Sequence, residues 1–417
     1  MSRAGRTLHA TAAWINGKEL ARNVRVVIEK GVVAEIVRTD ESDGSMSKFT
    51  AEQSCDILLP GLINAHCHLE YSWLGGRMPR GDGQTFPEWL EAINRMKADG
   101  GGDDYFPAME RAIDEMARGG TTCVVNSFVD PQSMEKLCHS PLRAVALCEV
   151  LHLRGDAESA LRGAMKTTAE ICGEGLVDRG LNPHAPYTVN GPMRSALRRL
   201  LAQSPGALTA WHMAETAGEV EMFESGTGEL MEFFRRNHIP LPFDDVPRNH
   251  PVSFLSAEGL WDSCDAVFHW NYPGPGGSSH FNAPRAIVHC PGTHAFFGRP
   301  LFPMKEILAD GANVCLGTDS LASSDSLSMM EMVRLAGEAF PFLSGGELVN
   351  MATRNPAGSR LIGSRGKKLG TISVGAQADL VLVASPVGVT DDPTLREALV
   401  SRDCKVTSVL VGGNDIL

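Results

Sequence analysis

The stretch LLPGLINAHCHLE, from Leu58 to Glu70, is a short apolar run that ends abruptly in chemistry-bearing side chains. Leu62–His66 reads as a strand with its polar groups gathered at the C-terminal end. On a strand, residues i and i+2 share a face, with Cα atoms roughly 6.5–7 Å apart. That spacing sends His66 and His68 to one side and Cys67 to the other. Two convergent imidazoles are half of a metal site, although His-x-His alone is equally compatible with packing.

The same pattern returns along the chain. Apolar runs at Thr122–Ser127, Arg143–Val150, Gly180–His184, Leu208–His212, Ala266–Trp270, Ala286–Cys290 and Asn313–Gly317 alternate with helical segments such as Pro107–Arg118, Pro192–Gln203, Glu219–Asn237 and Leu327–Phe340. About eight strands separated by helices predict an α/β fold, a (β/α)8 TIM-type barrel. The competing doubly wound open sheet lacks its Gly-x-Gly-x-x-Gly after the first strand. Short β-rich runs lie at both ends, at Arg25–Val33, Ala378–Ala384 and Val406–Val411. Neither end alone has enough strands for a stable sheet. The expectation is a small β-sandwich domain composed of residues 1–58 and 366–417, enclosing a barrel of residues 59–365.

Polar groups stand at the C-terminal ends of several runs: His212 with Glu215 just beyond, His269, and Asp319. That end carries the active sites of such barrels. His184 lies in a loop pinned by Pro183 and Pro186. No lysine ends a middle strand, so no carboxylated lysine is available to bridge two metals, which favours one. His289 and His294 flank the seventh run, where structure and substrate contact are equally open readings. Glu70 either touches substrate or holds Arg77 or Arg80. Ser364–Lys367 matches Ser-x-x-Lys, but in a polar linker, and no Gly-x-Ser-x-Gly elbow is present.

Composition narrows the function classes. The 417 residues carry 38 Lys+Arg against 50 Asp+Glu, a net charge of −12, which argues against a nucleic-acid partner. No apolar run approaches the ~18 residues of a membrane helix, and the N-terminal apolar stretch is too short for a secretory signal. The 10 cysteines are scattered, without a Cys-x-x-Cys pair, pointing to a reducing, cytoplasmic setting.

Across nearly its whole length the chain resembles the amidohydrolase superfamily, in the branch of cytosine, guanine and adenosine-type deaminases and triazine chlorohydrolases. The resemblance rests on LLPGLINAHCHLE, on NPHAPYT (Asn182 to Thr188), WHMAET (Trp211 to Thr216), HCPGTHAFFG (His289 to Gly298) and LGTDSLASS (Leu316 to Ser324), and on the terminal GAQADLVLV (Gly375 to Val383). His-x-His-Leu-Glu and the GTDSLASS tail are similar to aminofutalosine deaminase-like members. Where relatives often have Arg-Ser before the His after strand 7, this chain has Gly292-Thr293.

The resemblance implies that His66, His68, His212 and Asp319 bind one divalent metal, Zn2+ first and Fe2+ second. It makes Glu215 the proton shuttle, His269 the residue that orients the attacking water beside Asp319, and His184 a substrate-ring contact. The metal would lower the pKa of water toward ~7 for attack on an electron-poor ring carbon, with release of ammonia. The implied substrate is an aminopurine nucleoside or related amino-heterocycle. A chlorohydrolase or cyclic-amide hydrolase using the same metal is the alternative. A non-catalytic descendant of the fold would have lost ligands, and none is missing here. A homodimer is implied by the resemblance alone.

Overall fold

The computed structural model describes residues 5–38, 53–79, 85–100, 102–274, 285–363 and 368–417. Arg80 and the Ser364–Lys367 motif lie outside the described residues. Four strands open the chain: β1 (Arg6–Ile15), β2 (Glu19–Glu29), β3 (Val32–Arg38) and β4 (Gln53–Pro60). Eight follow: β5 (Leu62–Cys67), β6 (Thr121–Phe128), β7 (Arg143–Val150), β8 (Leu176–Pro183), β9 (Leu208–Met213), β10 (Ala266–His269), β11 (Ala286–His289) and β12 (Asn313–Leu316). Three close it: β13 (Leu380–Ala384), β14 (Lys405–Val411) and β15 (Asn414–Asp415).

Strands β5 to β12 pair in sequence order, each parallel to its neighbour, as an eight-stranded (β/α) barrel. The seam between the first and last strands is drawn together by the amides of Thr318 and Asp319, which donate to the carbonyl of His66 at 3.1 and 3.0 Å. Asn64 donates its Nδ2 to Thr318 Oγ1 at 2.7 Å across the same seam. Ile63, Val125, Val145, Leu147, Phe268, Val288 and Cys315 fill the interior, together with Leu361, Ile362 and Leu369. The helices pack on the outside against residues such as Val124, Ala146, Val267 and Val314.

The two ends of the chain meet in one seven-stranded mixed sheet, in the order β15-β14-β13-β4-β1-β2-β3. Its strands alternate: Ile57 and Leu59 pack with the barrel's outer core, whereas Leu58 joins the sheet's own core with Leu8, Val24 and Leu380. A buried pair ties the sheet segment to the barrel. Arg143, at the start of β7, donates Nε and Nη2 to the Asp379 carboxylate at 2.6 and 2.9 Å.

One element departs from the sequence expectation. Glu219–Asn237 is not a single helix but two, Ala217–Glu224 and Glu229–Arg236. The break falls at Gly226 and Gly228, whose φ of 70° and 92° are left-handed and cannot sit inside a right-handed helix.

Candidate active site

The first strand reaches the site by a change of phase. Ile63 and Ala65 point into the barrel interior, so strict alternation would send Cys67 inward as well. Instead Cys67 packs with the outer core. The β5–β6 register shifts between Asn64 and Cys67, a bulge that re-aims side chains. His66 therefore lies over Phe268, ring centroids 3.8 Å apart. The close approach of β12 requires Gly317, where a Cβ would fall 2.9 Å from Val288 Cγ1 and 3.0 Å from the His66 nitrogen.

Ligand-type atoms converge here. Nε2 of His68 and Nε2 of His212 are 3.3 Å apart. His66 Nε2 is 3.9 Å from Asp319 Oδ1. His66, His68 and Asp319 can present three ligand atoms within 4.8 Å of one another, and so can His66, His212 and His269. Neither ring nitrogen of His66 has a hydrogen-bond partner among the described residues, although both are buried. Burial, reinforced by the neighbouring imidazoles, drives His66 and His68 well below the usual histidine range, and burial lowers His212 as well. Each ring is thus neutral and holds a lone pair. The Nδ1–H of His212 donates to the His184 carbonyl at 3.1 Å, which leaves Nε2 free to ligate. Buried, unpartnered lone pairs beside one carboxylate are a donor set that fits a divalent cation.

Asp319 is held from three sides. Its Oδ2 accepts from Ser323 Oγ at 2.8 Å and Thr293 Oγ1 at 3.1 Å, and its Oδ1 accepts from the Ser320 amide at 2.8 Å. Burial, with the Glu215 charge, lifts its carboxyl to about 6. Glu215 runs the other way. Burial opposes its ionisation, yet the facing imidazole of His269 and the Arg299 guanidinium hold it down to about 2. Burial takes His269 down to about 3, and its Nε2 stands 3.9 Å from both Glu215 Oε1 and Asp319 Oδ2. Ala214, His269, Trp270 and Asp319 all have positive φ, between 45° and 70°. For residues with a Cβ this is strained backbone, of the kind that collects at functional sites.

These groups face a cavity of about 400 Å3. His68, His184, His212, Glu215, His269 and Asp319 line it, together with apolar walls from Trp89, Leu151, Tyr187, Phe233, Phe234 and Phe297. His184 enters the cavity with its Nδ1 2.9 Å from Thr188 Oγ1. Glu70 stands apart: its Oε2 accepts from the Val129 and Asp130 amides at 3.1 and 2.8 Å, and it lines an adjoining pocket. Arg77 is paired with Asp104 instead. His289 stacks on Phe302 at 4.3 Å, and His294 donates Nε2–H to the Pro300 carbonyl at 2.6 Å. Neither of these two lines the cavity.

Several residues of the site escaped the sequence reading. Glu149, at the end of β7, lines the cavity 4.0 Å from His68 Nδ1 and is lifted to about 8 by burial and by the Glu70 charge. The strand-end rule that found the histidines also points to it. Thr293 was visible as a departure from relatives, but not as a hydroxyl on Asp319. Arg299 donates Nη2 to Glu215 Oε1 at 2.7 Å. It lies 84 residues away in sequence, where no motif signals the pairing.

The amidohydrolase family profile matches residues 57–416, and the chain belongs to that family, whose members are metal-dependent. It is 27% identical over 382 residues to a 5-methylthioadenosine/S-adenosylhomocysteine deaminase of Moorella thermoacetica, covering 86% of this chain and 82% of the relative. It is 26% identical over 386 residues to an aminodeoxyfutalosine deaminase of Nitratiruptor, covering 86% of each. The fold is that of Helicobacter pylori aminofutalosine deaminase, solved with methylthio-coformycin, at a TM-score of 0.81 and 19% identity over 99% of this chain and 100% of that one. A zinc-bound adenosine deaminase of Xanthomonas campestris superposes with a TM-score of 0.76 at 22% identity, covering 98% of this chain and 92% of that one. Among the described residues, no helix is long and apolar enough to cross a membrane.

Proposed function

We propose that this chain is a metal-dependent hydrolytic deaminase of an aminopurine nucleoside or related amino-heterocycle. The observation that carries the reading is the convergence of His66, His68, His212 and Asp319 beside Glu215 and His269, all but the fully buried His66 lining one cavity. The names of its relatives, adenosine-type deaminases, support the same chemistry.

His66, His68, His212 and Asp319 hold the metal in this proposal, Zn2+ ahead of Fe2+ because three imidazoles and one carboxylate suit zinc. When bound, the metal supplies positive charge and acidifies water at neutral pH. The chain's own residues do the rest. Glu215, ionised at neutral pH, accepts a first proton on its carboxylate and hands it to the ring nitrogen beside the reacting carbon, where it stays. The second proton, released by the hydroxyl added at that carbon, goes to the departing amine, which leaves as ammonia. His269 orients the attacking water through Nε2, which faces both Glu215 and Asp319. His184 hydrogen-bonds the ring on its far side, and the aromatic walls exclude bulk water. Glu70 serves substrate binding only indirectly in this reading, holding the amides of Val129 and Asp130 in a loop whose Val129 lines the cavity. A cytoplasmic setting completes the proposal and suits ten cysteines that are all free thiols.

The test is incubation of metal-loaded protein with a panel of aminopurine nucleosides, among them 5′-methylthioadenosine and 5′-deoxyadenosine, and with chlorotriazines, reading ammonia and chloride together. Ammonia from a nucleoside is expected. Chloride alone would move the protein to the chlorohydrolases.

A further inference from the structure

We propose that Arg299 is the positioning residue for Glu215, clamping its carboxylate so that one oxygen is fixed and the other is left to the reacting groups. The proposal rests on the reading of Glu215 as the proton carrier.

The geometry is specific. Arg299 Nη2 donates to Glu215 Oε1 at 2.7 Å, and the two side chains are only 6% and 10% exposed. No other hydrogen bond holds Oε1 among the described residues, since His269 Nε2 is 3.9 Å away. The main chain of Glu215 is already held on both sides. Its amide donates to Glu219 Oε2 at 3.0 Å, and its carbonyl accepts from Asn271 Nδ2 at 3.0 Å. What remains free is rotation of the side chain, and Arg299 arrests it. Arg299 is itself located by its backbone N–H, which donates to the His294 carbonyl at 3.2 Å. Its guanidinium lies over the Phe297 ring, 4.5 Å from the centroid, and Phe297 is a wall of the cavity. The clamp therefore links the proton carrier to the surface against which substrate would rest.

Stability gives no sufficient reason for such a pair. Two charges taken out of water regain little more than their desolvation penalty, so buried ion pairs are weak evidence for stability. A displacement of about 1 Å at a reacting group, by contrast, can lower a rate ~10²-fold. A flat guanidinium that both donates and stacks suits this task in a way an ammonium does not.

The experiment compares the parent with R299A, R299K and E215Q, all metal-loaded. The probe is 5′-methylthioadenosine or whichever nucleoside of the panel is turned over fastest. R299A should keep its metal but melt at a lower temperature, because a buried carboxylate is left without its partner. Folded and metal-loaded, it should lose about 30-fold or more in kcat and change KM less than about threefold. Added guanidinium ion at low concentration should restore kcat to R299A and leave the parent unchanged. R299K should fall between the two. A kcat for R299A within about threefold of the parent, or an activity loss that guanidinium does not relieve and that follows metal loss, overturns the proposal. If R299A does not fold, R299K decides: folded and metal-loaded, it should still lose about threefold or more in kcat, and parental kcat overturns the clamp. If E215Q loses activity while the Arg299 variants do not, only the clamp fails. If E215Q keeps activity, the role of Glu215 fails and the clamp with it.

Discussion

The carbonyl oxygen of His184 fixes the ring of His212: it accepts the His212 amide at 2.7 Å and the His212 Nδ1–H at 3.1 Å. One residue thus serves the proposed metal ligands through its backbone and faces the cavity with its side chain. The two roles separate on mutation. His184→Ala should retain full metal content by elemental analysis, because the carbonyl stays. Loss of a hydrogen bond to a buried ring should lower kcat/KM by the equivalent of ~1–3 kcal/mol. Metal loss in this variant would instead make the side chain a ligand.

His68 contributes one of the two Nε2 atoms that stand 3.3 Å apart. His68→Ala should strip the metal while leaving most of the fold, as read by elemental analysis alongside circular dichroism. Two metals per parent chain, or a full complement in the variant, would rule out the single four-ligand site.

Glu215→Gln keeps size and most hydrogen bonding but removes the capacity to take a proton. Metal content and melting temperature should be nearly unchanged, while kcat should fall at least ~10²-fold. Activity loss matched by metal loss would reassign Glu215 to metal support, and retained kcat would pass the shuttle to His269.

Thr293 gives Asp319 one of two hydroxyl donors to the same oxygen, at 3.1 Å. Thr293→Val keeps the shape and deletes the donor. Removing such a support commonly weakens metal binding ~10–100-fold, which competition with a chelator would measure. Unchanged affinity would mean that Ser323 suffices.

Glu219 predicts a pH dependence of stability. It is fully buried, its Oε2 accepts the Glu215 amide at 3.0 Å, and burial lifts its carboxyl from 4.5 to about 8. Between those values the folded chain keeps a proton that the unfolded chain has released. Its stabilising contribution is therefore complete below the unfolded value and is lost as pH rises through about 8. Glu219→Gln removes that slope. The melting temperature of the variant relative to the parent should climb from about pH 5 to 8, by the equivalent of a few kcal/mol at most. A difference that does not move with pH would show that Glu219 does not bind the proton.

The barrel, the terminal sheet and the cluster of chemistry-bearing strand ends were legible in the chain itself. A strand buried on both faces must be a continuous apolar run, and a polar group ending such a run marks the face where loops begin. That rule carried His66, His212, His269 and Asp319 to one place, and it applies equally to Glu149. Glycine at 226 and 228 carries the helix break, a local signal set within a strong helical pattern on either side.

Other features depended on contacts between distant segments. Alternation from Ile63 alone would have turned His66 away from the interior, and only the bulge between Asn64 and Cys67, set by pairing with β6, brings it in. The Arg299–Glu215 bond, the Thr293 hydroxyl on Asp319 and the remoteness of Glu70 from the cavity are likewise products of packing. Periodicity fixes the side of its own strand on which a residue falls. It carries no information about which side chain, tens of residues away, arrives within 3 Å, because that distance is set by how the strands register and the loops fold over them.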